Sequence, residues 1–131
     1  GRRNFRLVSR VYRDGSGREL SRVVDGNGVA VHCHASGAPA KLEMFSDGLP
    51  TDTCVLWSES GALVMVGFVE HPTGNRVSWH FYADGALEWT EKRAPDGTLL
   101  SLKHLDSEGK ILVARGKDVK EPVEPTEPIF Q

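Results

Sequence analysis

Glycine recurs through this chain at nearly constant intervals, and that rhythm restricts the fold more than any other feature. Turn dipeptides occur at Asp14-Gly15, Asp25-Gly26, Ser36-Gly37, Asp47-Gly48, Ser60-Gly61, Gly74-Asn75, Asp84-Gly85, Asp96-Gly97 and Glu108-Gly109, and successive glycines are 11 to 13 residues apart. Asp-Gly and Asn-Gly supply the positive φ angles that tight hairpins require. Nine such turns imply about ten strands of five to eight residues each.

The residues between the turns alternate as half-buried strands must. Val29, Val31 and Cys33 interleave with Ala30, His32 and His34; Val77, Trp79 and Phe81 interleave with Ser78, His80 and Tyr82. Leu63–Val69 is apolar on both parities, a pattern that asks for cover on two faces. No segment carries a capped 3.6-residue stripe. The expected fold is all-β, an antiparallel meander of about ten short strands joined by glycine-containing hairpin turns.

Charge divides the chain unevenly. Residues 1–24 carry a net +5, residues 25–115 a net −5 and the remainder −2. The basic start suggests an anionic-surface patch of Arg2, Arg3, Arg6 and Arg10, for example on a membrane. The acidic remainder would repel phosphate, which argues against nucleic acid as the partner. Two cysteines, Cys33 and Cys54, are too few for a disulfide scaffold and do not define a compartment, so the cytoplasm is the default expectation. The chain starts at Gly1 rather than Met and reads as an excised or processed piece, with any signal or anchor out of view. Residues 1–115 read as a single all-β repeat domain, with a basic first hairpin over 1–24. Residues 116–131, with proline at every third position from Pro122 to Pro128, read as an extended Pro/Glu-rich tail.

Alternate glycines sharpen the repeat. Gly37, Gly61, Gly85 and Gly109 are spaced by 24 residues. Within that spacing run Trp57-Ser58-Glu59-Ser60-Gly61-Ala62-Leu63 and Trp79-His80-Phe81-Tyr82-Ala83-Asp84-Gly85-Ala86-Leu87-Glu88-Trp89. A glycine, then an aromatic, then aromatic-x-x-Gly-x-Leu resembles the MORN repeat, in the variant of bacterial antitoxin and immunity-like proteins, best over 47–113. Asp52 and Ser78 stand where that family often has a second glycine. The single-glycine strands are also similar, less closely, to the glycine-box sheet of centriolar assembly proteins. Both resemblances imply an elongated, twisted antiparallel sheet that binds other molecules.

Catalytic chemistry finds little support. His32-Cys33-His34 would put its histidines on one strand face and its thiol on the other, so the three do not grip one metal. The Gly-x-Gly strings at Gly15–Gly17 and Gly26–Gly28 sit in hairpins with no helix to follow, unlike a phosphate loop. Glu88 and Glu91 fall on opposite strand faces, a poor arrangement for a paired-carboxylate mechanism. The expectation is therefore no enzyme, no metal and no cofactor.

The aromatic residues suggest binding instead. A two-residue turn at Asp84-Gly85 pairs Tyr82 with Leu87, His80 with Trp89 and Trp79 with Thr90. The same geometry at Asp96-Gly97 sets His104 beside Trp89, giving a His80–Trp89–His104 row. Trp57, Trp79, His80, Phe81, Tyr82, Trp89 and His104 are thus the candidate contacts for a protein partner. That partner is a toxin in an immunity protein, or a scaffold component if the chain belongs to a cytoskeletal, centriolar or envelope protein. Exposed edge strands would also permit homodimerisation by sheet extension.

Overall fold

A computed structural model describes residues 8–125. The described chain is all-β: β1 (Arg10–Arg13), β2 (Glu19–Val24), β3 (Asn27–Cys33), β4 (Pro39–Ser46), β5 (Leu49–Trp57), β6 (Leu63–Val69), β7 (Arg76–Phe81), β8 (Leu87–Arg93), β9 (Leu99–Leu105) and β10 (Ile111–Arg115). Strand order follows chain order as an antiparallel meander. The chain forms two compact units that divide between Leu63 and Val64. Arg2, Arg3 and Arg6 lie outside the described residues.

Two turn geometries build eight of the nine hairpins; the ninth, between β6 and β7, has four loop residues, with the Glu70 N–H donating to the Asn75 carbonyl and the Gly74 N–H to the Glu70 carbonyl, both at 2.8 Å. At Asp25-Gly26 and Asp47-Gly48 both residues take positive φ, and the flanking pairs Val24–Asn27 and Ser46–Leu49 close two-residue hairpins. Elsewhere the hairpins at Gly17, Gly37, Gly61, Gly85, Gly97 and Gly109 have three loop residues. In each, the N–H of the residue before the loop donates to the carbonyl of the residue after it, as from Tyr82 to Ala86 and from Ala94 to Thr98, both 2.8–2.9 Å. Only the last loop residue, glycine, takes positive φ there. The first hairpin accordingly turns on Gly17, two residues beyond the expected Asp14-Gly15.

Three loop residues shift strand parity by one, and a bulge immediately restores it. After five of these turns the register slips, between Tyr12/Arg13, His32/Cys33, His80/Phe81, Lys92/Arg93 and Ile111/Val113. A sixth slip, between Glu43 and Phe45, follows the two-residue turn at Asp47-Gly48 and sets Thr51, Asp52 and Thr53 against Met44. In the five bulges that follow three-residue turns, the supernumerary residue stands three after the turn glycine: Leu20, Ala40, Glu88, Leu100 and Leu112. Phe81 consequently pairs with Leu87 in place of the expected Tyr82. One pair further on, His80–Trp89 and Trp79–Thr90 match expectation.

The units differ in how they bury side chains. In the first, Tyr12, Val23 and Ala30 form a buried cluster against Phe45. In the second, Val77, Leu100 and Ala114 are buried. Neither unit has a second layer of secondary structure among the described residues; in β6, Val64 is 40% exposed and the other residues are half-buried.

The segment after β10 does not simply leave the sheet. Gly116, at φ +127°, brings the chain so close to the Leu100 carbonyl that a side chain would collide with it. Lys117 and Asp118 N–H groups donate to the Leu99 and Leu100 carbonyls, and the chain then returns so that Val123 and Ala114 exchange both backbone bonds at 2.7–2.8 Å. Pro122 and Pro125 flank that bridge and have no N–H to offer a further strand.

Candidate aromatic binding surface

β7, β8 and β9 place the central residues of the site. Met65, His80, Trp89, His104 and Val113 face one another in successive strand pairs, forming a row across the second unit. Directly opposed residues lie roughly 4.5–5.5 Å apart at Cα, close enough for rings to touch. The His80 and Trp89 rings stack at 3.6 Å with only 6° between their planes. The Tyr82 hydroxyl donates to the Leu105 carbonyl at 2.6 Å, anchoring that ring from the turn across to β9.

On the other side of Trp89 the row opens. An open groove of about 360 Å³ lies there, lined by Glu88, Trp89, Glu91, Leu102 and His104. Leu102 is apolar and two residues from His104 along β9, so both belong to one sheet face. Glu88 and Glu91 line this same groove rather than opposite faces, because Glu88 is the bulged residue of β8 and strict alternation fails there.

The local electrostatics are acidic. Burial holds the His80 imidazole below its ordinary pKa, while Glu88 and Glu91 pull it the other way. Burial pushes the Tyr82 hydroxyl up, and Glu88, Asp106 and Asp84 reinforce the shift. Glu91 accepts from the Arg93 guanidinium, whereas Glu88 makes no ion pair among the described residues. Arg115, opposite Leu102, is held by Glu124 at 3.3 Å.

No protein-family model matches this chain, and no curated protein matches it either.

The remaining candidates stand apart from the row. Trp79 lies one residue from His80 and so projects from the opposite face, 41% exposed, edge-on to Phe68 at 5.4 Å. Phe81 shares the parity of Trp79 and is half-buried. Trp57 ends β5 in the first unit, where its carbonyl is 2.9 Å from His34 Nε2. Arg10 lies over the Tyr12 ring at 5.3 Å. His32 contacts Tyr12 edge-on and lies 3.6 Å from Glu43, so the two histidines of the His32-Cys33-His34 string serve different neighbours.

The sequence reading omitted Glu88, Glu91 and Leu102 from the surface. A signal was present: of the five bulges that follow three-residue turns, four carry Leu or Ala three residues after the turn glycine, and Glu88 is the one charged exception.

Proposed function

We propose that this chain is a non-enzymatic, MORN-like protein-binding sheet that acts as a bacterial immunity or antitoxin protein and covers a basic surface of its toxin. One observation carries the reading: the His80–Trp89–His104 row stands on a sheet face without a covering layer among the described residues. Tryptophan provides a large contact area at little entropic cost and concentrates in interface hot spots. Half-buried aromatics in a row, rimmed by carboxylates, suit a cationic protein surface, since complementary charge speeds encounter and fixes register. The returning segment leaves this face open. Residues 118–123 line a separate groove with Lys92, Ser101 and Lys103, and Lys103 pairs with Thr90 in the neighbouring row of opposite parity.

The test is co-expression with the product of the adjacent gene. The chain should restore growth and co-purify with that product at equal stoichiometry. Trp89→Ala should abolish both while leaving the melting temperature within a few degrees. Failure of the wild-type chain either to rescue or to co-purify would refute the immunity reading.

A further inference from the structure

We propose that the groove between Trp89 and His104 receives an arginine side chain of the bound protein. This rests on the protein-binding reading above and gives its central contact a chemistry. Trp89 has one ring face occupied by His80. The groove takes in Trp89, His104, Leu102 and the two glutamates but not His80, so it opens on the free side of the indole. A flat group can stack there, with Leu102 against its methylenes.

The charges select among flat groups. Glu88 has no cationic partner among the described residues, and Glu91 accepts from Arg93 Nε at Oε1. Asp84 and Asp106 add negative charge beside Tyr82. Of the cations near the groove, Arg93 and Arg115 are engaged by Glu91 and Glu124 respectively, and Arg76 stands opposite Arg93, beside Glu91 in a neighbouring groove. Burial favours the uncharged form of His80, so that ring adds no repulsion near neutral pH. A phosphate or carboxylate ligand would meet unbalanced repulsion. A neutral ring would shield Glu88 from water and give it no donor in return.

Guanidinium satisfies both demands. It is planar, stacks on indole, and presents forked donors that match carboxylates, whereas the lysine ammonium is a compact and strongly hydrated point charge. The bulge supports the same assignment. Leu20, Ala40, Leu100 and Leu112 occupy the equivalent position after the other turns, so the turn geometry does not require a carboxylate at Glu88.

The experiment uses the full chain and three synthetic peptides identical except for one central residue: arginine, lysine or citrulline. Binding is read by calorimetry and by the shift of the Trp89 indole N–H resonance. The arginine peptide should bind about tenfold more tightly than the lysine peptide, and citrulline more weakly still. Glu88→Gln should cost the arginine peptide about five- to tenfold and erase its advantage over lysine. Glu88→Leu, which installs the residue found at three of the other bulges, should do the same with no loss of melting temperature. Equal binding of arginine and lysine peptides, or arginine binding indifferent to both Glu88 variants, would overturn the proposal. If a co-purified partner still depends on Trp89 while no arginine preference exists, the groove assignment fails and the protein-binding reading stands. If neither dependence exists, both fail.

Discussion

In the first unit, the face with Tyr12, Val23, Ala30 and Phe45 closes into a buried cluster, and the reverse parity presents aliphatic Val29, Val31, Leu42, Met44 and Val55. In the second unit no comparable cluster forms among the described residues, and one face carries stacked rings beside carboxylates. Up to the end of β10, where Gly116 also approaches backbone closely, the strands and their turns differ in the same sense. Gly26 and Gly28 bring main chain against main chain, with an added Cβ colliding with Gly48 N and with the Arg22 carbonyl oxygen respectively. Gly67, inside β6, has nothing closer than 3.8 Å. The contrast shows two ways to stabilise a single-layer sheet. The first unit relies on burial and close backbone approach. The second relies on its ladder, its turn hydrogen bonds and the close approach of Gly116 to the Leu100 carbonyl, which leaves the large side chains of one face available to a partner.

Paired glycine substitutions test that contrast most strongly. Gly28→Ala should destabilise the first unit by about 2–4 kcal/mol, because the new methyl meets backbone that cannot yield. Gly67→Ala should lie within about 0.5 kcal/mol of wild type in urea unfolding. Equal costs would remove the distinction.

Side-chain deletions should rank next. Val23 is 1% exposed, so Val23→Ala should cost about 2 kcal/mol. Tyr82→Phe removes only the bond to the Leu105 carbonyl and should cost about 1 kcal/mol. A larger loss at Tyr82 than at Val23 would mean that the second unit has the more demanding packing.

Acid should weaken both units, with an earlier phase in the second alone. Asp106 is held below the ordinary carboxylate pKa chiefly by the Lys110 N–H, and Asp96 by the Thr98 N–H. In the first unit the Ser16 hydroxyl, backbone bonds and Arg18 do the same for Asp14, and the Arg22 guanidinium does so for Glu19. A depressed folded-state pKa gives stability above the unfolded value that is lost as pH falls through the folded value. Below about pH 4, therefore, thermal stability should drop, and Asp96→Asn with Asp106→Asn should flatten the drop. His80 adds an earlier decline. Its folded pKa is lowered, so stability falls as pH drops below about 6.5 and levels off below the folded value. His80→Gln should remove that earlier phase.

The smallest effect belongs to surface ion pairs. Lys92→Ala breaks the 3.3 Å pair with Glu70 and should change stability by less than about 0.5 kcal/mol.

Much of the fold is legible in the sequence because glycine and alternation are local signals. The turn geometry is not, since Asp-Gly serves both a two-residue hairpin and the end of a three-residue one. Pro95 offers a clue: its fixed φ suits the first loop position in Ala94-Pro95-Asp96-Gly97-Thr98, where the missing N–H is not required. The His80–Trp89–His104 row comes out correctly despite the wrong turn because each bulge cancels the parity error of its loop. Glu88 does not, because it is the bulged residue itself. The return of Val123 to Ala114 is equally hidden, since the Pro/Glu composition that suggests an extended exit also suits a segment closing a sheet edge.

The central claim concerns which face of the second unit meets the partner, and adjacent residues of β7 and their neighbours separate the two faces cleanly. The decisive measurement is the dissociation constant of the purified complex for Trp89→Ala and Trp79→Ala, both by calorimetry. Trp89→Ala should weaken binding by about thirtyfold or more, a hot-spot loss near 2 kcal/mol, and Trp79→Ala by less than threefold. A greater loss at Trp79, or equal losses at both, would contradict the account.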